Sequence, residues 1–404
     1  MNADRMRRLD YWVGVPICFI LTLLVRLRAL PGIRQPPASR PRHVLLIELA
    51  EMGTTVLACP AIQRLRARHP GCRVYFLLFK QIEESVSVLD VIPPAHVLTI
   101  DASSFWTLIR DTLRFTRAAR RFEIDTAINL EVFARFSTIL SVVSGAATRV
   151  GFHRFAQEGL YTGDVLTHQV IYNPHLHTWQ LLTTLVEALD APRADLPLGK
   201  FPVETACTLP RLATDDFARR RIQDRVTSRQ PAAAGKRWIV VNPNASSLIA
   251  VRKWPLERYA ALIERLLRDP RNACVITGTA AERDAAGVIV ARVPNERLVD
   301  LTGETTLRDL IDLFNVSSLL ITNDSGPAHF AALTDIPVLV FFGPETPRLY
   351  GPLSQRCTPL YAHYACSPCV SAYNQRRSVC TNNRCLQHFD VDTAYAHAVR
   401  LLES

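Results

Sequence analysis

Residues 319–347 read LLITNDSGPAHFAALTDIPVLVFFGPETP, and this stretch decides the fold. Its apolar run over 319–321 stops at the polar segment NDSGP (323–327), and an apolar-faced helix is predicted to follow. A second apolar run, over 336–342, ends in a Gly-Pro pair. Such alternation of buried strand, helix and buried strand is typical of a parallel α/β sheet. Because unpaired N–H groups at a helix N-terminus favour an anion, the polar segment predicts a phosphate-bearing ligand.

The same rhythm of strand and helix recurs along most of the chain. Further strands are predicted over 44–49, 74–79, 126–130, 238–241 and 273–277, and further helices over 55–68, 132–144, 255–267, 306–314 and 391–402. Between 190 and 236 the rhythm is lost among scattered prolines. The predicted fold class is therefore α/β, with two Rossmann-like domains facing each other across a cleft. We expect an N-terminal domain over 37–205 and a C-terminal domain over 206–404, whose last helix could pack back on the first domain.

The N-terminal segment has the composition of a membrane-associating helix. Residues 11–25 (YWVGVPICFILTLLV) carry no charge, and arginines flank them at positions 5, 7, 8, 26 and 28. The run is shorter than the roughly 20 apolar residues of a straight spanning helix, and no small-residue cleavage site follows it. Arginines at both ends favour a segment that enters one leaflet at an anionic cytoplasmic surface. A spanning anchor and a buried N-terminal helix are the alternatives. Residues 1–36 are thus predicted to form this segment and a linker, with prolines and arginines over 31–42.

Charge and motifs narrow the classes of partner. The formal net charge of +10 suits a phosphorylated ligand or an acidic lipid surface. Nucleic acid is not predicted as a partner, because the chain lacks zinc-finger pairing and an RNA-recognition signature. No G-x-G-x-x-G follows the first strand, which disfavours a dinucleotide-dependent oxidoreductase.

The late cysteines have spacings similar to those of a zinc site. Two residues separate Cys366 from Cys369, and four residues separate Cys380 from Cys385. Cys357 lies upstream of both pairs. The second spacing is loose for a zinc ribbon, so packing cysteines, reduced or disulfide-bonded, are favoured over structural zinc. No metal is predicted at the reactive site.

Four stretches resemble glycosyltransferase family 9, the bacterial lipopolysaccharide heptosyltransferases and their relatives, which have the GT-B fold. They are 44–66 (VLLIELAEMGTTVLACPAIQRLR), 252–255 (RKWP), 301–314 leading into TNDSGPAHFAA, and 341–347 (FFGPETP) followed by YGP at 350–352. The last two together are the most specific, and the resemblance covers residues 42–402. It implies inverting transfer of a heptose from an ADP-linked donor to a lipid-linked or phosphorylated sugar acceptor, without an essential metal or other cofactor. It also implies that the catalytic domains lie at the cytoplasmic side of the bacterial inner membrane.

The resemblance places the donor in the C-terminal domain. The family's key lysine aligns with Arg252, and Lys253 stands beside it; either cation could neutralise the leaving diphosphate, with a solvated basic pair as the alternative. The predicted substrate-binding residues of this domain are Asn244, Asp324, Ser325, Gly326, His329 and Gly343. Asp324 is expected to cap the following helix or to hold a sugar hydroxyl, because a carboxylate does not attract phosphate. His329 is expected to face the same anion, or else to be a partly buried helix histidine.

The chain departs from the family at the general base. Family members carry an aspartate after the Met-Gly pair, whereas this chain has Thr54 there, and a threonine hydroxyl is no base near neutral pH. Glu51 is the nearest substitute, unless it caps the following helix. Met52 and Gly53 are predicted to shape the turn, and Gly53 and Thr54 are predicted to bind substrate. On the acceptor side, Asn129, Glu131 and Arg135 follow a strand end and are expected to face the cleft.

Two functions are therefore compatible with the sequence. One is an inverting glycosyltransferase that uses a nucleotide diphosphate-sugar at the membrane surface. The other is a catalytically silent GT-B-like protein that binds a sugar-nucleotide or a partner at the membrane, and the missing aspartate favours it.

Overall fold

The computed structural model describes residues 3–28, 40–156, 158–245 and 247–403 of the 404-residue chain. The chain divides into two units, Met1–Thr208 and Leu209–Ser404, and each is built on its own parallel sheet. The linker predicted over 31–42 lies outside the described residues, except for residues 40–42.

Six parallel strands form the sheet of the first unit: β1 (His43–Ile47), β2 (Arg73–Phe79), β3 (Val97–Ile100), β4 (Thr126–Asn129), β5 (Thr148–His153) and β6 (His168–Ile171). Their order is β3-β2-β1-β4-β5-β6, so the direction in which strands are added reverses between β1 and β4. Ile47 of β1 lies opposite Asn129 of β4. In open α/β sheets, ligands bind beyond the carboxyl ends of the strands at such a reversal.

The second unit repeats this topology with β7 (Arg237–Asn242), β8 (Asn272–Ile276), β9 (Leu298–Asp300), β10 (Leu319–Asn323), β11 (Val338–Phe342) and β12 (Cys357–Tyr361). The order is β12-β11-β10-β7-β8-β9, all parallel, and the reversal lies between β7 and β10. Every residue of β10 and β11 is buried. Strands that are covered on both faces read as continuous apolar runs, which is why these two were visible in the sequence.

Helices connect and cover the strands in both units. They are α1 (Ala3–Trp12), α2 (Gly14–Arg28), α3 (Met52–Leu57), α4 (Cys59–Arg68), α5 (Glu84–Ser87), α6 (Phe105–Arg121), α7 (Arg135–Val143), α8 (Thr178–Glu187), α9 (Asp216–Arg229), α10 (Leu256–Leu266), α11 (Arg283–Arg292), α12 (Leu307–Asn315), α13 (Gly326–Ala331), α14 (Pro347–Tyr350), α15 (Arg384–Gln387) and α16 (Val391–Glu403). The two six-stranded parallel sheets with their helices confirm the predicted fold class.

The core of the second unit fixes the loop that precedes α10. Trp254 is fully buried, and its ring stacks on Phe341 of β11 with centroids 4.4 Å apart. Its indole N–H donates to the carbonyl of Phe389 at 3.0 Å. The last helix, α16, buries Ala394 and Ala398 in this same core. The structure therefore places α16 on the core of the second unit.

Local details differ from the sequence-based expectations where the apolar pattern is ambiguous. The helix predicted over 55–68 is two helices, α3 and α4, which meet at Ala58. Pro60 stands in the first turn of α4, where a missing N–H is tolerated. The segment that lost its rhythm near 190–236 contains the helix α9. Its charged sequence, with one face against α12, hides the 3.6-residue period.

The first two helices form a nearly continuous helical segment against the first unit. By length and composition, Arg5–Leu27 is the one segment of the described chain that is apolar and long enough to cross a membrane. That observation alone is weak support for a membrane span, because signal sequences and core helices have the same composition. Both α1 and α2 contact α7.

Candidate active site

The polar residues singled out in the second unit follow the two strands at which the sheet reverses. Asn244 follows β7, and Asp324 follows β10 directly. Asn323 links the two strand ends: its amide N–H group donates to the carbonyl of Pro243 at 2.9 Å, and its amide oxygen accepts the backbone N–H of Trp254 at 2.9 Å. The loop that carries Arg252 and Lys253 is thereby held against the end of β10. One buried asparagine side chain therefore positions three segments of the candidate site.

Arg252 forms the centre of a buried ion-pair cluster. Its Nη1 lies 3.3 Å from Asp324 Oδ2 and 3.0 Å from Glu345 Oε2. The exposed fractions of the three side chains are 12%, 5% and 2%, respectively. Arg376 brings a second guanidinium, whose Nε lies 3.5 Å from Glu345 Oε1. Two cations and two carboxyl groups therefore meet beyond the ends of β10 and β11.

The charge of this cluster depends on Glu345. Burial is the main cause that raises the pKa of Glu345, to about 8; Arg252 opposes the shift and Asp324 adds to it. Glu345 is therefore mostly protonated at neutral pH and adds little negative charge. Burial by itself would lower the pKa of Arg252, but the charge of Asp324 and the hydrogen bonds that Arg252 donates to Asp324 and Glu345 raise it above its ordinary value. The cluster thus keeps a cation beside the end of β10.

Several buried polar atoms at this place lack a hydrogen-bond partner within the described chain. They are both amide atoms of Asn244, Nε of Arg252 and Nδ1 of His329. Asn244 is connected to the cluster through Asn323, which also donates to the Asn244 carbonyl at 3.3 Å. Buried polar side chains are nearly always hydrogen-bonded in proteins. With Glu345 Oε1, which also lacks a hydrogen-bond partner among the described residues, five unsatisfied atoms at this strand-end site indicate a place for a polar ligand.

His329 does not bring positive charge to an anion. It is buried within α13, and this burial is the main cause that lowers its pKa, to about 4; Asp324 raises the pKa and Arg252 lowers it. At neutral pH the imidazole is therefore neutral and can offer one N–H or one lone pair to a ligand. Sequence reasoning identified the residue, but it did not foresee the extent of its burial.

The turn after β10 differs from the expectation for Asp324. The N-cap residue of α13 is Ser325, and Asp324 binds Arg252, so the predicted helix-capping role of Asp324 is wrong. The Ser325 hydroxyl donates to the carbonyl of Asn323 at 3.1 Å. Gly326 begins α13, which has only six residues, and so short a helix supplies a weak dipole. The cations of the cluster are the stronger attraction for an anion here.

Lys253 and Gly343 lie next to the cluster, but the structure shows scaffold contacts for both. Lys253 is half-buried and makes no ion pair with a carboxylate of the described residues, and its carbonyl accepts the Asn383 amide at 2.8 Å. At Gly343, a Cβ atom would lie 2.8 Å from both Cys385 Sγ and Leu386 Cγ. Close packing of α15 therefore requires glycine at position 343.

The cysteine-containing tail packs on the loop after β11. The Ser367 hydroxyl donates to the Gly343 carbonyl, and the Cys369 N–H donates to the Pro344 carbonyl at 2.9 Å. All ten cysteines are free thiols. Among the described residues, no group of three or more His, Cys, Asp or Glu side chains is placed to hold a metal ion. The tail thus brings Arg376 into contact with Glu345. No spacing in the sequence predicted this contact.

In the first unit, Glu51 lies at the reversal of the sheet. It is the N-cap residue of α3 but makes no side-chain cap hydrogen bond. Its Oε2 accepts the hydroxyl of Thr54 at 3.1 Å, and its N–H donates to Glu48 Oε1 at 3.2 Å. Gly53 lies in the first turn of α3 and is half-buried. A carboxylate therefore lies within hydrogen-bond distance of the threonine that replaces the family aspartate.

The remaining acceptor-side residues have structural contacts. Glu131 accepts the N–H of Leu49 at 2.9 Å, and burial raises its pKa. Asn129 is buried at the end of β4. Arg135, which was expected to face the cleft, has a buried guanidinium that pairs with Asp10 of α1 at 2.9 Å. This pairing could not be predicted from the sequence, since the two residues are far apart in the chain.

Comparisons with known proteins agree with this architecture. The family model described as glycosyltransferase family 9 (heptosyltransferase) matches residues 112–379. The lipooligosaccharide heptosyltransferase 2 of Haemophilus influenzae is 31% identical over 133 residues, which are 32% of this chain and 38% of that protein. The chain thus spans less than half the length of this curated relative.

Two solved structures share the fold over 89% and 90% of this chain. The structure of the ADP-heptose lipopolysaccharide heptosyltransferase II of E. coli superposes with a TM-score of 0.70 at 17% identity, covering 89% of this chain and 98% of that one. The family 9 glycosyl transferase of Veillonella parvula superposes with a TM-score of 0.69 at 19% identity, covering 90% and 98%. At these identities the likeness shows the GT-B fold, while the family model, which matches more than half of the residues, shows the membership. The chain belongs to glycosyltransferase family 9, the heptosyltransferase family.

Proposed function

We propose that the protein is an inverting glycosyltransferase that moves a heptose-like sugar from a nucleotide diphosphate donor, with ADP as the nucleotide, to a lipid-linked or cell-envelope glycan acceptor. The observation that carries this proposal is the buried cluster of Arg252, Asp324 and Glu345 beside the unsatisfied amide of Asn244. It lies at the strand reversal of the second unit, where α/β sheets bind nucleotides. The E. coli heptosyltransferase with the same fold is named for ADP-heptose, which supports ADP as the donor's nucleotide.

On the donor side, Arg252 would neutralise the charge that grows on the departing diphosphate. Its Nη1 is occupied by the two carboxyls, while its Nε has no partner. This leaves one edge of the guanidinium for a phosphate oxygen. A protonated Glu345 would not repel the diphosphate, and Ser325 and Gly326 would add hydroxyl and backbone donors. Lys253 would contribute charge from the same loop.

On the acceptor side, Glu51 would act as the general base. The acceptor hydroxyl oxygen attacks the anomeric carbon, the bond from that carbon to the diphosphate oxygen breaks, and the hydroxyl proton passes to the Glu51 carboxylate. Attack from the face opposite the leaving group inverts the configuration. The hydrogen bond from Thr54 to Glu51 supports this role, because it keeps the carboxylate 3.1 Å from the hydroxyl of the residue that replaces the family's aspartate. A nucleotide-sugar donor places the reaction at the cytoplasmic side of the bacterial inner membrane.

The test is a transfer assay by mass spectrometry with purified full-length protein, ADP-heptose and a lipid A–type acceptor. Glu51→Gln should lower kcat by about 10²–10⁴-fold, the usual contribution of a general base. Glu83→Gln, which changes an exposed carboxylate of the same unit, should leave kcat unchanged. Transfer at the wild-type rate by Glu51→Gln would remove Glu51 from the mechanism.

A thermal-shift series identifies the nucleotide. ADP should raise the unfolding temperature more than GDP, UDP or dTDP at equal concentration, because a ligand that binds the native state stabilises it by mass action. Equal shifts for all four nucleotides would contradict the choice of ADP.

A catalytically silent sugar-nucleotide or partner-binding protein is the second candidate, and Thr54 in place of the family aspartate favours it. For such a protein, ADP would stabilise the fold, yet neither transfer nor donor hydrolysis would occur. In that case Thr54→Asp, which restores the family's residue, should create activity.

A further inference from the structure

We infer that α1 and α2 form an in-plane membrane-binding element, clamped to the first unit along one face and applied to an anionic bilayer surface along the other. This goes beyond the proposed transfer reaction and does not depend on it.

One face of the helical segment is fastened to the first unit by residues four apart: Asp10, Gly14, Cys18, Thr22 and Arg26. Residues at this spacing lie on one side of a helix. The buried members are Gly14, Cys18 and Thr22. The other two carry charges and stand at the ends of the series, so the stripe is small or polar throughout.

At the start of the stripe, Asp10 caps another helix. Its Oδ1 accepts the backbone N–H groups of Arg135 and Phe136, each at 3.0 Å, and its Oδ2 pairs with the Arg135 guanidinium at 2.9 Å. These N–H groups belong to the first turn of α7, whose own N-cap residue, Ala134, has no side-chain acceptor. Close approach also requires Gly14, where a Cβ atom would lie 2.8 Å from the Cβ of Arg135.

At the far end, the stripe binds the loop before β6. The Thr22 hydroxyl accepts the N–H of Asp164 at 2.9 Å, and Arg26 pairs with the Asp164 carboxylate at 2.6 Å. A Cβ atom on Gly163 would lie 2.8 Å from the Cys18 carbonyl oxygen. Asp10 and Arg26 are 16 residues apart, or about 24 Å along a helix. Because both ends bind the same unit, the segment cannot cross a bilayer without losing one set of these contacts.

The opposite face is apolar and uncovered by the described residues. Its exposed side chains are Trp12, Val13, Ile17, Phe19, Ile20, Leu23, Leu24 and Leu27, and Trp12 is 74% exposed. Isolated apolar side chains on a surface are ordinary, but a contiguous apolar face of this length marks an interaction site. Tryptophan at the edge of such an apolar face is typical of the membrane–water interface.

The charges of the helical segment favour lipid as the partner of its apolar face. Arg5 and Arg8 at one end of the segment are exposed, whereas Asp10, the one acidic residue between positions 5 and 27, is engaged by Arg135. Each arginine near an anionic leaflet adds to the attraction between the segment and the bilayer. A second copy of the chain would instead bring two sets of arginines together. An anionic bilayer therefore fits the face better than self-association.

Vesicle co-sedimentation of the full chain tests the surface. We expect binding to vesicles that contain phosphatidylglycerol, weaker binding to pure phosphatidylcholine vesicles, and loss of the difference in high salt. The double variant Trp12→Ser/Leu24→Ser should weaken binding by on the order of 100-fold, since each buried apolar side chain contributes tenfold or more. Its unfolding temperature should stay at the wild-type value, because both side chains are exposed.

A matched control lies in the second unit. Phe217 on α9 is 73% exposed, and Val288 on α11 is 39% exposed. Phe217→Ser/Val288→Ser should keep wild-type vesicle binding, and an equal loss would overturn the assignment of the surface. Absence of vesicle binding, with dimers in solution that Trp12→Ser/Leu24→Ser disrupts, would also overturn it and identify a second copy as the occupant.

Orientation is tested with an epitope tag on the N-terminus of the full chain in sealed inside-out inner-membrane vesicles. An in-plane helix leaves the tag on the outside with the two units, so added protease removes it. Protection of the tag in sealed vesicles, with digestion after detergent, would show a spanning helix and refute the in-plane arrangement. Neither readout uses donor or acceptor, so failure of the transfer assay leaves this inference intact.

Discussion

Replacement of Arg252 by methionine tests the buried cluster most directly. The guanidinium has an exposed fraction of 12% and contacts two carboxyls that are almost completely buried. Removal of one partner from a buried ion pair costs about 3–5 kcal/mol, because the charge left behind is no longer compensated. Since Glu345 is mostly protonated at neutral pH, its pKa being raised to about 8, we expect a value near the lower limit, about 3 kcal/mol. For a unit of this size, that corresponds to a fall in Tm of about 6–12 °C.

Thermal unfolding of the full chain, followed by circular dichroism at neutral pH, measures this effect. Lys253→Met is the matched control: the neighbouring side chain is half-buried and pairs with no carboxylate of the described residues, so Tm should change by about 2 °C or less. Equal Tm values for Arg252→Met and Lys253→Met would refute the reasoning.

A double variant separates the ion pair from simple loss of packing. Arg252→Met/Glu345→Gln should be more stable than the sum of the two single changes predicts, by about 1–3 kcal/mol, because contacting residues are coupled. Strict additivity would mean that Arg252 and Glu345 do not interact in solution.

Three further predictions concern Glu345, His329 and Asp10. Glu345 has a folded-state pKa raised to about 8 by burial, so the folded chain binds more protons than the unfolded chain between its ordinary pKa and about pH 8. Stability should fall as pH rises through this window, and urea titrations should show a smaller fall for Glu345→Gln; an equal fall would exclude the group. His329 has a pKa lowered to about 4, so stability should be lost as pH falls from about 6.5 to 4, by roughly 3 kcal/mol, and His329→Gln should lose less over the same range. Asp10→Ala should lower the free energy of unfolding by about 3 kcal/mol, because it leaves Arg135 buried without its partner. Asp164→Asn, at a more exposed pair, should lower it by less than about 1 kcal/mol. Similar losses for both variants would contradict the contacts described for the two ends of the helical segment.

The sequence could predict the parts of the fold that local patterns encode. The strands β10 and β11 are runs of apolar residues bounded by polar or Gly-Pro segments, and their burial on both sides makes that pattern unmistakable. The strand β9 has only three residues, too few to establish a period. The helix α9 was missed for a related reason, because its charged sequence has little amphipathic contrast.

The candidate site was predictable as a location but not as a set of contacts. Asn244 and Asp324 follow strands that are neighbours at the reversal of the sheet, and strand-end polar residues can be read from one sequence. Glu345 and Arg376 complete the cluster through a contact at 3.5 Å between a strand-end loop and a tail with no regular period. Burial of His329, and the pairing of Arg135 with Asp10, depend on packing between distant segments.

By itself, the sequence determined that two parallel α/β units occur in this chain, that its motifs resemble family 9, and that the end of β10 is polar. Those properties follow from residue order, because strands, turns and motifs are local. Only the tertiary structure decided that Arg252 is enclosed by two carboxyls and that the N-terminal helices are clamped at both ends. The physical reason is that pKa values, ion pairs and exposed faces depend on which segments meet in space. Residue order alone does not specify which distant segments come into contact.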